Sequence, residues 1–198
     1  MIKPIALTIA SLAVISAHAA PLTFKIGGGN PATQVFTVDS EAQFENFTGR
    51  TNEISGSVVF DPVKKSGSGK FAVNLSSLDT GIPLRNDHMK SEGWLNTEKY
   101  PQAVFQSSSV KFVSGDTYRV TGTLTLHGVT KTITTNATVR YIKASEATKK
   151  ARFNGDVLQV KTSFPIKLAD YGIKIADVAK GKVGETVNVR LSAFGTTG

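Results

Sequence analysis

Residues 117–141 read TYRVTGTLTLHGVTKTITTNATVRY. Alternate positions on the first arm are Tyr118, Val120, Gly122, Leu124 and Leu126, and on the second Val129, Lys131, Ile133, Thr135, Ala137 and Val139. A period of two sustained this long marks β-strands. With His127-Gly128 as the turn, Leu126 faces Val129, Leu124 faces Lys131, Gly122 faces Ile133 and Val120 faces Thr135. The other face then pairs Thr125 with Thr130, Thr123 with Thr132, Thr121 with Thr134 and Thr117 with Thr138, a hydroxyl ladder suited to a solvated antiparallel surface. The mostly apolar face has to cover something: a packed core, a partner or a cavity.

The same period recurs on both sides of the hairpin. Strands are expected over residues 22–26, 34–39, 54–61, 70–75, 102–113 and 153–168, and a last one carries Val187, Val189, Leu191 and Ala193 in step. Pro165 suggests that its strand ends at an edge or a bulge. Phe44 and Phe47 lie in a polar setting, residues 64–69 read as a flexible loop, and the GGGNP run at 27–31 reads as a turn or linker. Between residues 76 and 101 the period of two lapses. Pro83 suits a first helical turn, Leu84, His88 and Met89 fall near one side of a short helix ending around Gly93, and Trp94, Leu95 and Tyr100 carry apolar surface outside any strand, as a cap would. Residues 169–184 form a second non-strand insert, and 144–152 a polar connection.

About eight strands joined by short antiparallel connections make an all-β fold. Eight strands close into a barrel whose interior is either filled by side chains or wide enough for one small ligand, while a sandwich spells its strands alike. Small residues recur among the in-step positions: Gly122, Thr135, Ala137, Ala193, and Ala72 or Ala103. These leave room where a close-packed core calls for branched or aromatic side chains, which favours a barrel with a bore.

Residues 1–19 run MIKPIALTIASLAVISAHA, one lysine before an apolar stretch and then small residues at both positions read by a signal peptidase. An export signal over 1–19 and a single domain over 20–198 are expected. The apolar stretch falls short of the ~20 residues that span a bilayer, so the reading is of a soluble protein, periplasmic or secreted after cleavage, not integral to the membrane and touching its surface at most transiently. The chain has no cysteine, so no disulfide or thiolate chemistry is available. Its 23 Lys and Arg against 15 Asp and Glu give a formal charge of +8. The charge is scattered, with one cluster at Lys149-Lys150-Ala151-Arg152, and lacks the basic stripe of a nucleic-acid binder.

Several blocks, in order and spacing, resemble the YceI family of exported, lipocalin-like, polyisoprenoid-binding proteins. They are Asp79-Thr80-Gly81 with Arg85 and His88, Lys90-Ser91, Trp94-Leu95-Asn96, Lys99-Tyr100-Pro101 before Phe105, the run from Gly122 to Lys131, Phe164-Pro165-Ile166-Lys167, Asp170-Tyr171-Gly172-Ile173, and Val183-Gly184-Glu185-Thr186-Val187. The resemblance implies an eight-stranded antiparallel barrel with short helical inserts. Its bore would take a long apolar ligand: a polyisoprenoid, an isoprenoid quinone or a fatty-acid-like lipid. Two departures touch the head-group end. The family usually has an acid after the arginine, where this chain has Asn86 and then Asp87, and often one before the tryptophan, where this chain has Gly93.

The candidate ligand-binding residues are Arg85, His88, Met89, Trp94, Phe105, Gly122, Leu124, Ile133, Phe164 and Tyr171. Arg85 and His88 offer donors to a polar head; the alternatives are an Arg85 pair with Asp87 or Asp79, and a His88 that caps backbone groups. Trp94 and Tyr171 are expected at the mouth, and Gly122 as a place where the wall is thin. His127 reads as a turn residue and Lys131 as a side chain reaching to the barrel rim. No serine motif with an activating base, acid/base carboxylate pair or metal-ligand spacing is present. The expectation is therefore a binding protein and not an enzyme, with no required cofactor, a lipid or isoprenoid ligand, and a homodimer compatible with all of this. The alternatives are a protein-interaction module with a filled barrel and an accessory to quinone-dependent electron transfer.

Overall fold

The computed structural model describes residues 20–27 and 31–198. The expected export signal and residues 28–30 of the glycine-rich turn lie outside the described residues. The strands are β1 (Leu22–Ile26), β2 (Val35–Glu41), β3 (Asn46–Thr51), β4 (Ile54–Asp61), β5 (Ser66–Asn74), β6 (Gln102–Ser114), β7 (Thr117–Leu126), β8 (Val129–Ile142), β9 (Val157–Lys167) and β10 (Thr186–Thr196). Every pairing is antiparallel.

The ten strands form eight staves of a closed barrel. β1 pairs with the end of β10, Lys25 opposite Thr196, and β2 with its beginning, Ser40 opposite Val187, so β1 and β2 lie end to end along one neighbour. β3 and β4 form the next stave in the same way, against β2 and β1 respectively. Gln34 joins the interrupted first stave to β10. Its side-chain Nε2 donates to the Phe194 carbonyl at 2.9 Å, and its Oε1 accepts from the Phe194 N–H at 3.1 Å. A buried amide side chain thus stands in for a peptide group, and neither backbone group of Phe194 is left unpaired.

The central hairpin has the expected register throughout, from Leu126 opposite Val129 to Thr117 opposite Thr138. His127 and Gly128 both have positive φ, +50° and +75°, as a turn matched to the right-handed strand twist demands. Thr121–Thr134 and Thr125–Thr130 are hydroxyl pairs at 2.9 and 2.8 Å on the outer face, while Leu124, Leu126, Ala137 and Val139 are buried inside.

Three expectations fail locally. β3 contains Phe47, and its polar sequence NFTGRT hid a strand that β2 pairs fully. β5 begins at Ser66, because β4 supplies partners for its SGSG start (Phe60 opposite Gly67, Val59 opposite Ser68) where sequence alone reads a loop. β9 begins only at Val157. Phe153 lies before it, its ring stacked on Phe194 with centroids 5.6 Å apart. The polar connection ahead of it holds a short helix, α2 (Glu146–Lys150), opened by a Ser145/Thr148 capping box.

One end of the barrel is plugged by aromatic rings meeting edge to face: Phe24 with Tyr141 at 6.3 Å, Phe60 with Tyr118 at 5.8 Å and Phe112 with Tyr118 at 5.5 Å. Near that end β5 and β6 part. Their pairing stops at Lys70 opposite Gln106 although both strands continue, and β6 is bulged between Ser107 and Ser109. At the other end lie the β2–β3 turn, the segment after β5 with its helix α1 (Pro83–Lys90), the His127-Gly128 turn and the insert between β9 and β10.

Candidate ligand-binding cavity

A cavity of about 700 Å³ occupies the barrel interior, within the ~300–1,000 Å³ usual for small-molecule sites. Inward positions of the strands make its wall. They include Phe36 and Val38 of β2, Phe71 and Val73 of β5, Phe105 of β6, Leu124 of β7, Ile133, Thr135 and Ala137 of β8, Phe164 of β9, and Val187, Val189 and Leu191 of β10. Phe60, backed by Tyr118, is the floor. The hydroxyls of Thr135 and Thr162 lie 3.2 Å apart, and Thr162 donates to the Asn136 carbonyl at 2.9 Å. These mid-bore polar groups are therefore paired within the wall, and the bore is apolar.

Helix α1 lies across the mouth. Pro83 stands in its first turn, where a missing N–H costs nothing. Asn86 anchors it: Oδ1 accepts from the Thr80 N–H and hydroxyl, both at 2.8 Å, and Nδ2 donates to Asp79 Oδ1 at 2.6 Å. Asp79 also accepts from the Gly81 N–H at 2.8 Å. The Gly81 N–H and then the Asn86 amide hold the Asp79 carboxyl below its ordinary pKa. Asn86 thus accepts and donates at once, which a carboxylate does not.

Arg85, His88 and Met89 fall at helical spacing and reach the cavity. Arg85 is ion-paired with Glu45 and lies over the Phe47 ring at 4.6 Å. Its partner is thus neither Asp87 nor Asp79, because α1 docks beside the β2–β3 turn. Besides this pair, His88 and Lys182 are the ionisable side chains of the wall.

Of the sequence-derived candidates, the structure brings Arg85, His88, Met89, Trp94, Phe105, Leu124, Ile133 and Phe164 to the cavity wall, but not Gly122 or Tyr171. At Gly122 the space is taken by protein: an added Cβ would lie 2.5 Å from Phe105 Cζ and closer still to the Gln106 carbonyl oxygen. The glycine seats a phenylalanine ring and does not thin the wall. Tyr171 is buried beneath the hairpin turn, where its carbonyl meets His127 Nδ1 at 3.1 Å. Burial first, and Asp170 second, push its phenol pKa up. Tyr100 meets the His127 ring edge to face at 4.9 Å, so His127 ties the turn to both inserts. Lys131 faces Asp170 at 3.6 Å, half-exposed at the barrel end and away from the cavity wall.

Sequence reading missed Phe36, Phe47 and the insert residues Ala176, Val178, Ala179, Lys182 and Val183 as wall. Phe36 was visible in the alternation of its strand; Lys182 carried no local signal. Among the described residues no cluster of His, Asp or Glu comes together to hold a metal ion, and no helix is long and apolar enough to cross a membrane.

A closed eight-stranded antiparallel barrel, plugged at one end and opening beside a short helix at the other, defines the lipocalin-like class. Within that class the chain belongs to the YceI-like domain family, whose model matches residues 29–194. A UPF0312 protein of Pseudomonas aeruginosa is 36% identical over 151 residues, covering 74% of this chain and 72% of the relative. The crystal structure of BcnA from Burkholderia cenocepacia superposes with a TM-score of 0.71 at 26% identity, over 85% of this chain and 99% of that one. A polyisoprenoid-binding domain from Saccharophagus degradans, implicated in plant cell wall breakdown, superposes with a TM-score of 0.66 at 22% identity, over 88% and 98%.

Proposed function

We propose that this protein is an exported carrier for one long apolar ligand, a polyisoprenoid, an isoprenoid quinone or a fatty-acid-like lipid. The tail lies in the bore and the polar end beside Arg85, His88 and Lys182. The observation that carries this reading is the apolar cavity of about 700 Å³, running from an aromatic floor to a mouth whose segments carry the ionisable side chains of its wall. Each methylene moved from water into such a bore is worth about 0.8 kcal/mol, so the tail supplies most of the affinity and the few polar groups set orientation. Family membership and the likeness to a polyisoprenoid-binding domain support the same reading. The protein acts by holding its ligand and not by catalysis, needs no cofactor, and works in the periplasm or outside the cell after removal of residues 1–19.

The test is to purify the exported protein, extract it with organic solvent and analyse the extract by mass spectrometry, with N-terminal sequencing of the same sample. A stoichiometric lipid, a melting temperature that rises when that lipid is added back, and an N-terminus at Ala20 are expected. Repeated absence of any co-purifying lipid, together with no thermal shift from added isoprenoids or fatty acids, would overturn the carrier reading.

A further inference from the structure

Three segments converge on the cavity mouth: the β2–β3 turn, helix α1 and the insert between β9 and β10. Two contacts fasten them together. The Phe44 N–H donates to the Gly181 carbonyl at 2.8 Å, joining turn to insert, and Arg85 pairs with Glu45, joining helix to turn. Each segment presents a large apolar side chain to solvent. Phe44 is 73% exposed, Ile82 46%, Leu84 65% and Val178 85%. Ile82, Leu84 and Val178 also belong to the cavity wall, so they form a lip, at once inside and outside. The other large exposed apolar residues among those described, Val59, Val63, Phe112 and Val113, belong to no part of that wall.

We propose that this lip docks on the surface of an anionic lipid bilayer, so that a ligand chain passes between bilayer and bore without crossing water. The inference rests on the reading of the cavity as an apolar-chain site. Apolar side chains standing singly on a surface need no explanation, but a set gathered around one opening does. Charge decides between a bilayer and other occupants. The stretch of the insert around Val178, residues 174–182, carries Lys174, Lys180 and Lys182 against Asp177, with the insert's other acids, Asp170 and Glu185, outside it, and the whole chain has a formal charge of +8. Insertion of a few apolar side chains at the headgroup boundary, with lysines around them, is how interfacial proteins hold an anionic surface reversibly. A second copy of this chain would bring the same lysines face to face.

The experiment is co-sedimentation of the purified mature protein with vesicles of phosphatidylglycerol and phosphatidylethanolamine, compared with vesicles of phosphatidylcholine alone. The protein is expected on the anionic vesicles, with binding weakened at about 0.5 M salt. The double variant Leu84→Ser/Val178→Ser lowers partitioning about tenfold, and Phe44→Ser alone several-fold. Phe44 is not part of the cavity wall, so Phe44→Ser keeps the co-purifying lipid. Melting curves confirm that each variant is folded, and the 85%-exposed Val178 provides the substitution least disturbing to the fold. Equal partitioning of wild type and variants overturns the proposal. So does a dimer, seen by light scattering, that Phe44→Ser dissolves, because the lip would then be an interface between copies. Retained lipid without vesicle binding refutes docking alone, and lip-dependent vesicle binding without any retained lipid refutes the carrier reading alone.

Discussion

Replacing Gly122 with alanine tests what the small residue in the middle of β7 is for. It faces inward, opposite Ile133 on one side and Ser107 on the other. In an open strand the change would stabilise by roughly 0.5–1 kcal/mol, because glycine loses more backbone freedom on folding. Here the new methyl group arrives 2.5 and 2.7 Å from Cζ and Cε2 of Phe105, and closer to the carbonyl oxygen of Gln106. The ring can rotate away, but the carbonyl belongs to strand backbone. Overpacking costs about 1–3 kcal/mol, and against strand backbone that cannot yield the upper part of that range applies, about 2–3 kcal/mol, so less about 1 kcal/mol for the freedom glycine loses the net loss is about 1–2 kcal/mol. For a barrel of this size that lowers the melting temperature by about 2–8 °C. Urea unfolding followed by far-UV circular dichroism should show a lower midpoint with an unchanged slope. In a Phe105→Ala background the same change should cost less, with a coupling of about 0.5 kcal/mol or more. A Gly122→Ala protein at least as stable as the wild type would refute the reasoning and restore open space above the glycine.

Gln34→Ala should destabilise by about 1–3 kcal/mol by stranding both backbone groups of Phe194. Gln34→Glu should be worse at neutral pH and recover on acidification, since a protonated carboxyl again donates to the Phe194 carbonyl; urea midpoints at several pH values check both. Asp156, which accepts from the Ala144 N–H at 2.8 Å and the Tyr141 hydroxyl at 2.7 Å, has its pKa lowered by these two bonds in that order. Its contribution is fully present above the ordinary aspartate range near ~4 and is lost as pH falls through the lowered folded value, so Asp156→Asn should flatten that part of the acid limb in pH-dependent melting. At His127, with φ +50°, Asn should cost about 1 kcal/mol by losing the Tyr171 tie, and Val clearly more through backbone strain, as thermal melts of the two variants would show.

The fold was legible where alternation and turn chemistry agreed. The 117–141 hairpin gave every pair of its register, since His127-Gly128 admits one kind of turn and a slip by one residue would have put threonines inside. A whole strand was missed at residues 46–51 and a strand start at 66–69, where pairing comes from β2 and β4 and not from side-chain pattern. At the site, residues on strands or on α1 could be placed by their period. Gly122 was misjudged because what fills its space, Phe105, sits on another strand. Tyr171 and Lys182 lie in an insert whose path is set by tertiary contacts, His127 holding the one and the mouth the other.

The pairing of Lys25 with Thr196 also governs how the chain reaches this state. The ring joins residues from the two extremes of the described chain, so its last seam forms only after nearly all of the polypeptide is available, at the highest loop-closure cost of any pairing in the sheet. Until then β1 and β10 are bare edges that invite pairing with other chains. Gln34, bound to Phe194 two residues before Thr196, adds a clasp at that seam, so that late closure, once made, leaves no loose edge there from which the sheet can unzip.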